Sequence, residues 1–538
     1  MLFFYLFLIV LYFLTLVLPG LSHPIPLFPQ GDEIMHIRTI RETITQGKWI
    51  LPELSGLPNP YKPPLLFWLG ILADTLLNVS FLSERLVSFV FGLGSSLLVF
   101  QIVRSFERSN LYSFLLALCY AASFGTWKFS RLLMMEQGMT FFVLLFFWIY
   151  SLYERKRKKG FLILGSFTLG IGYFFKGPIL LIYGFILVFS FFFVDVFRIR
   201  KKAFYLSSKN MRKYIPSSIL LISIALPILW LIYLFLFEPS GKKLIHFFFI
   251  NENAGKFNSE NQSAFRILGG WFLYSLPYTI VIGHSLILQL KSRVCSRRTR
   301  VSRALLFSLF FLTIFHLLPN RKDSYYVVSF LPILFISIGL SHSFEYFKVL
   351  FLNHWNLTGL LIVYLLSILF SIHSKQLLAV FILSCYSVIT ALMVFSKKKH
   401  FMMIYILFMI TVPSIGYLVV LPNLDPVIAK DLEEYKINEY CFVSENPWNA
   451  MEFQNQSPSS RIIYSPPSAS KHLCELKSIP ILSFSSFYSP AGHYQATKEW
   501  QVWNSHQTFD VRDAIHFFQN SGFLNFKSKI SLYEVQHP

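Results

Sequence analysis

Charged residues are scarce in this chain. Only 14% of its 538 positions are Asp, Glu, Lys or Arg, against about a quarter in a soluble domain. That shortfall excludes an ordinary water-soluble globule, and the 54% hydrophobic content points to lipid instead. Acidic residues are the scarcer kind: 27 Asp and Glu face 48 Lys and Arg, a formal charge of +21. In a soluble protein such an excess would suggest nucleic acid. Here the basic residues fall in short clusters between apolar runs, as in the cytoplasmic loops of membrane proteins, so no nucleic acid is expected. Cysteine is rare as well. The five are scattered without metal spacing, and Cys119 and Cys385 lie inside apolar runs as packing residues. Met1–Gly20 lacks the basic start and small-residue cleavage site of a leader, and reads as a first membrane helix.

What is present is a series of long apolar runs, among them Phe161–Phe175, Ile179–Val194 and Ile215–Phe237. Runs of about 20 such residues cross a hydrocarbon core. The basic clusters Arg104/Arg108, Arg155–Lys159, Arg198–Lys213, Lys291–Arg303 and Lys397–Lys399 are all assigned to the cytoplasm, which requires an even number of spans between each pair. The runs meet that requirement with helices near 215–237 and 271–290 around a polar loop, four more spans between Arg303 and Lys397, and a last one at 401–421. Leu65–Leu82 is apolar but carries Asp74 and follows Pro58, Pro60, Pro63 and Pro64. It reads as a juxtamembrane segment, since a carboxylate in mid-bilayer is costly. The expected fold is therefore an all-α polytopic membrane bundle of about 13 transmembrane helices, covering 1–421, with 19–64 as an outer loop and 65–82 juxtamembrane. Residues 422–538 are polar and mixed, and are expected to form a small α+β soluble domain on the outer side. Short strands are expected at Tyr440–Val443, Arg461–Tyr464 and Ile530–Val535, and a helix at Val511–Gln519. In an oxidising compartment Cys441 and Cys474, 33 residues apart, are expected to bridge as a disulfide, with two buried free thiols the alternative.

A chain so poor in charge concentrates its chemistry in a few polar islands. These are Gly31–Arg38, Tyr61–Pro64, Arg131 with Glu136, Lys176–Pro178, Asn251–Lys256 and Arg321–Tyr326. By the parity of the spans, all six fall on the outer side. Carboxylates and lysines on one rim of a bundle suit an anionic lipid headgroup and a hydroxyl acceptor. Taken singly the islands have plainer readings. Asp32 and Glu33 also suit a helix N-terminus, where acids meet the positive dipole end, and Lys176-Gly177-Pro178 reads as a helix break. His36 is most simply a polar residue on a helix face.

The stretch GDEIMHIRTIRETITQGKWILPELSGLPNPYKPPLLFWL resembles the first outer loop of the C-type glycosyltransferases related to aminoarabinose lipid A transferase and protein O-mannosyltransferases. The resemblance lies in an acidic pair after the first helix, a Gly-x-Trp-x-x-Pro segment at Gly47, Trp49 and Pro52, and a Lys-Pro-Pro motif at Lys62, Pro63 and Pro64. It continues in order through Arg131–Glu136, Lys176-Gly-Pro, Glu252–Phe257 and Lys322–Tyr326, and so covers roughly residues 1–340. The last 120 or so residues carry none of it. The resemblance implies an inverting transfer of a sugar from a polyprenyl-phosphate donor to an envelope acceptor (lipid A, a glycan or a protein). It also implies a multi-pass protein of the bacterial inner membrane, with the active site and C-terminal domain facing the periplasm, membrane lipids as neighbours and no cofactor.

A phosphate-linked sugar already has a good leaving group. Catalysis then needs cations on the departing phosphate and a carboxylate for the acceptor. The resemblance makes Asp32 the base, with Glu33 and Glu136 as further catalytic acids. It makes Lys62 and Lys256 the donor-phosphate contacts, with Lys322 and Tyr326 beside them and Tyr325 an equal candidate by spacing. Some relatives carry metal-suited Glu and His where this chain has Tyr61 and Asn253, so no metal is expected there. Two rival classes are a transporter or lipid flippase, which would place charge pairs in mid-helix, and a scaffold acting through its tail. An oligosaccharyltransferase would show a WWDYG-like signature, and the chain has none.

Overall fold

The apolar runs fold as helices in the computed structural model. It describes residues 1–22, 32–47, 49–54, 57–106, 108–199, 217–291, 296–343, 346, 354–373, 375–395, 404, 408, 411–412, 414–416, 419, 428–444, 460–466, 470, 474–475, 478–484, 490, 494–503 and 527–535. The first helices are α1 (Leu2–Val17), α2 (Glu33–Gln46), α3 (Leu65–Leu77), α4 (Leu82–Ser105), α5 (Asn110–Ala121), α6 (Phe124–Phe129), α7 (Met135–Lys156), α8 (Lys159–Lys176) and α9 (Pro178–Ile199). Beyond them the main apolar helices are Ser217–Phe237, Arg297–Leu317, Leu331–Ser341, His354–His373 and Leu377–Phe395.

Five described segments are long and apolar enough to cross a membrane: α4, α7, Pro178–Asp195, Arg297–Leu317 and Ser324–Ser341. At 24 residues, α4 measures about 36 Å at 1.5 Å per residue. Shorter apolar helices such as α1, α3 and α5 fall below that length. A figure of about 13 full spans is thus finer than the described helices support. The expected span at 271–290 takes another form. Phe265–Tyr274 and Thr279–Gln289 meet at 107°, with Pro277 in the break, where it withholds a backbone N–H from a continuing helix. The loop before it is also largely helical, with Gly241–His246, a π-helical stretch Phe247–Asn253 and a 3₁₀ turn Ala254–Phe257.

The main core runs through the helices. Phe13, Phe67, Phe100, Leu116, Phe147, Leu305 and Phe330 are all buried in one cluster. Its outer face keeps large apolar side chains exposed, for example Phe235, Leu236, Phe272, Phe310 and Phe381. Such a surface is what a hydrocarbon solvent allows and water does not.

The C-terminal residues supply a five-stranded sheet, its strands in the order Arg461–Ser465, Glu439–Val443, Ile481–Phe484, Lys527–Val535 and Tyr494–Trp503. Its members are β3 (Glu439–Val443), β4 (Arg461–Ser465), β5 (Ile481–Phe484), β6 (Tyr494–Trp503) and β7 (Lys527–Val535). The parallel neighbours β4 and β5 flank β3, while β7 runs antiparallel to both β5 and β6. With a strand on each side, β3 is apolar on both faces. Tyr440 and Phe442 pack with Leu482, Trp500 and Ile530, while Cys441 and Val443 pack with Ile481 and Cys474. Cys441 and Cys474 form a disulfide with Cα atoms 5.7 Å apart. The helix expected at Val511–Gln519 lies outside the described residues.

Candidate active site

Asp32 stands at the N-cap position of α2, and the chain after α2 folds back along it. The Asn59 amide donates to Thr39 Oγ1 at 3.0 Å and the Tyr61 backbone N–H to Asn59 Oδ1 at 2.9 Å. A two-residue ladder pairs β1 (Glu53–Leu54) with β2 (Leu57–Pro58). These contacts bring Lys62 to the start of α2, where its ammonium lies 3.5 Å from Asp32 Oδ2.

Three further segments close around this pair. Glu136 sits in the first turn of α7, and Lys176 is the last residue of α8. An acid at a helix start and a base at a helix end each suit the local dipole, and the two side chains pair at 2.8 Å. After Lys176 the chain turns through Gly177, whose φ is 75°. A Cβ there would lie 2.5 Å from the Phe248 ring, so glycine lets the π-helical stretch approach. That stretch delivers Glu252, which accepts from Lys62 at 2.8 Å and from Lys256 at 3.4 Å. A π-helical turn is a frequent feature of functional sites. The Arg321 backbone N–H donates to the Lys256 carbonyl at 3.1 Å, and the Arg321 guanidinium pairs with Asp323 at 3.2 Å. Tyr325 and Tyr326 follow, with the Lys176 ammonium 5.6 Å and 5.3 Å from their ring centres.

The result is a cavity of about 340 Å³, its open mouth included, to which all six polar islands contribute. Four basic side chains (Lys62, Lys176, Lys256, Arg321) and three acidic ones (Asp32, Glu136, Glu252) line it. Burial works to raise the Asp32 carboxyl, but Lys62 and the cations beyond it outweigh burial and hold the group well below the ordinary carboxylate range. Lys256 is pushed down to about 8 by burial and by repulsion from Lys62, against the pull of Glu252. Burial also works to lower Lys62, yet Asp32 and Glu252 keep it above its ordinary value. Two ammonium groups sharing Glu252 form a corner whose charge an incoming anion would satisfy.

The structure thus brings Asp32, Glu136, Lys62, Lys256 and Tyr326 into one cavity, and Tyr325 with them. It places two expected residues elsewhere. Glu33, adjacent to Asp32, points the other way into the core. It accepts from Arg85 Nε at 2.9 Å and from the Leu133 backbone N–H at 2.8 Å, and is 0% exposed. Lys322 ties two loops together, donating to Asn261 Oδ1 at 2.7 Å while its backbone N–H donates to Gln262 Oε1 at 2.7 Å. Its neighbour Arg321 is the one that lines the cavity. Lys176, Glu252, Arg321 and His36 line it too. The sequence showed them as island members without naming a role, and only their placement within polar islands signalled them. Arg131 lies outside, donating to the Pro19 and Leu16 carbonyls at 2.7 Å each.

Tyr61 and Asn253 make other contacts. The Tyr61 ring packs edge-on to Phe247 at 5.3 Å, and Asn253 turns its amide nitrogen to the Phe248 carbonyl at 2.6 Å. Among the described residues no three His, Cys, Asp or Glu gather as metal ligands.

Residues 48–245 match the family described as dolichyl-phosphate-mannose-protein mannosyltransferase. An uncharacterized protein of Aquifex aeolicus is 25% identical over 319 residues, which is 59% of this chain and 68% of that one. The undecaprenyl phosphate-alpha-4-amino-4-deoxy-L-arabinose arabinosyl transferase of Wigglesworthia glossinidia brevipalpis is 24% identical over 177 residues, 32% of this chain and 31% of its own length. The structure superposes on ArnT from Cupriavidus metallidurans bound to undecaprenyl phosphate with a TM-score of 0.68 at 12% identity, covering 98% of this chain and 97% of that one. The apo state of the same protein gives 0.65, covering 97% and 96%. The chain therefore has the fold of ArnT, a C-type glycosyltransferase fold, and part of its sequence is similar to the protein mannosyltransferase family and to an aminoarabinose transferase.

Proposed function

We propose that the chain transfers a sugar from a polyprenyl-phosphate donor to an envelope acceptor (lipid A, a glycan or a protein) on the outer face of the inner membrane, with inversion at the anomeric carbon. The carrying observation is the cavity in which Asp32 stands 3.5 Å from Lys62 while Lys62 and Lys256 share Glu252. The fold match to a protein solved with undecaprenyl phosphate supports it, as does the mannosyltransferase family match. In this reading residues 1–421 form the membrane-embedded transferase, with 19–64 its outer catalytic loop and 65–82 juxtamembrane. Residues 422–538 form a periplasmic domain, for which the oxidised pair Cys441–Cys474 suits a non-reducing compartment.

The donor phosphate lies against Lys62, Lys256 and Arg321. An acceptor hydroxyl approaches the anomeric carbon from the side opposite the phosphate and loses its proton to Asp32. The new carbon–oxygen bond forms as the bond to phosphate oxygen breaks, and the electron pair leaves on the phosphate, where the cations stabilise it. With Lys62 drawn to the phosphate, Asp32 loses its main counter-ion and becomes the stronger base when it is needed. In this reading Tyr326, which lines the cavity, caps the phosphate with its hydroxyl. Glu136 keeps Lys176 in place, while Glu33 and Lys322 hold the scaffold.

The test is a mass-spectrometric comparison of envelope lipids, glycans and glycoproteins from cells with and without the gene. A sugar-sized mass lost from one envelope component without the gene, and restored with it, is expected. An unchanged envelope together with no binding of undecaprenyl phosphate by the purified protein would overturn the reading.

A further inference from the structure

The cavity wall carries two groups that have no part in holding phosphate. His36 lies one turn along α2 from Asp32, and its ring is 1% exposed. Its Nδ1 lies 2.8 Å from the Leu133 carbonyl oxygen. That oxygen can only accept, so Nδ1 carries the proton, and in a neutral ring Nε2 is left as a bare lone pair. The Phe67 ring packs edge-on to the imidazole at 5.7 Å, which fixes its orientation. Nε2 is buried and has no hydrogen-bond partner among the described residues, yet His36 lines the cavity. Glu136 repeats the pattern. Its Oε1 takes the Lys176 ammonium, while Oε2 is buried with no partner among the described residues.

Buried polar atoms are nearly always paired. Two acceptors left over in one cavity call for a ligand that brings donors. A phosphate brings only acceptor oxygens and belongs with the cations. An added ammonium would sit in the field of Lys62 and Lys176, whereas a hydroxyl donates without adding charge. We infer that His36 Nε2, together with Glu136 Oε2, accepts hydrogen bonds from hydroxyl groups of the sugar on the polyprenyl-phosphate donor and so selects the sugar; this rests on the donor reading above. His36 is thereby a specificity-determining residue one helical turn from the base.

The test uses the full-length protein in lipid nanodiscs. The probes are undecaprenyl phosphate, its glucosyl, mannosyl and arabinosyl esters, and monodeoxy analogues of whichever ester binds most tightly. His36→Asn places an amide nitrogen near the Nδ1 position, so it keeps the Leu133 bond and lacks Nε2. His36→Gln returns a polar atom near Nε2. One ester is expected to bind wild type more tightly than the bare lipid. His36→Asn should lose about tenfold of that gain, the scale of one buried hydrogen bond, with the bare lipid unaffected, and His36→Gln should recover part of it. One deoxy analogue should show the same loss in wild type and none further in His36→Asn. Full sugar preference in His36→Asn, or a wild type indifferent to every deoxy analogue, would overturn the inference; the second result needs no variant to fold. If no ester outbinds bare undecaprenyl phosphate, the inference falls while the phosphate site stands. If the bare lipid itself fails to bind, both fall.

Discussion

Replacing Lys62 by Ala should weaken polyprenyl-phosphate binding about a hundredfold. The ammonium is 2.8 Å from Glu252 and 3.5 Å from Asp32, with its side chain 10% exposed. A charge-assisted hydrogen bond from such a group contributes about 1.5–3 kcal/mol net, which is roughly 10- to 150-fold in Kd. Removal also leaves the two carboxylates facing the incoming phosphate. At an effective dielectric constant of about 20, like unit charges roughly 6 Å apart repel by about 2–3 kcal/mol before other charges screen them. The loss should therefore fall in the upper part of the range. Lys62→Arg keeps the charge and should lose less than about tenfold. A second signature concerns Asp32, whose carboxyl is held low chiefly by Lys62 against its partial burial. Without Lys62 its pKa climbs back toward the ordinary carboxylate value. Asp32 then becomes protonated at a higher pH, and the acid limb of residual transfer moves up in pH. Displacement of a fluorescent polyprenyl phosphate from nanodisc-held protein reads the affinity. A change below about threefold in Lys62→Ala would refute the phosphate corner.

Three other outcomes follow. With Lys256 pushed down to about 8 in the free protein, phosphate binding should take up a proton near that pH; affinity should hold below about pH 8 and fall toward tenfold per pH unit above it, and Lys256→Gln should flatten the curve. A flat wild-type profile from pH 7 to 10 would contradict this. Glu33→Gln breaks a buried pair with Arg85 and should destabilise the fold by about 3–5 kcal/mol, read as a lowered Tm; normal stability with abolished transfer would instead put Glu33 in the chemistry. Alkylation of the denatured protein before and after reduction should find Cys441 and Cys474 blocked until reduced, and reduction should destabilise the sheet by about 3–4 kcal/mol for a separation of 33 residues; two free thiols from unreduced membranes would count against the bridge.

The islands were legible because charge is so rare in this chain that any cluster of it stands out. What the sequence could not give was direction. Asp32 and Glu33 are neighbours, but successive helical residues point about 100° apart, and the Arg85 that claims Glu33 lies 52 positions on. Arg321 and Lys322 exchange places for the same reason: the loop partner Asn261 lies 61 positions from Lys322. His36 reads as a plain helix-face residue until Leu133, 97 positions away, fixes its tautomer. Among the strands, β3, β4 and β7 showed themselves by apolar content. The stretch YQATKEWQVW of β6 did not, because among the described residues β6 is an edge strand, paired only with β7, and it carries Lys498, Glu499 and Gln501 among its apolar residues. The bend at 275–278 was hidden because both of its arms are apolar enough to read as one span.

Asp32 is the residue on which the proposed transfer depends most directly. The gene should be returned to a deletion strain as wild type or as Asp32→Asn, at matched protein levels. The envelope component whose sugar mass vanished with the gene is then quantified, alongside undecaprenyl phosphate binding by each purified protein. Wild type should restore the mass, and Asp32→Asn should restore it at a rate at least about a hundredfold lower, as for loss of a general base, while still binding the lipid phosphate. Full restoration by Asp32→Asn would contradict the account.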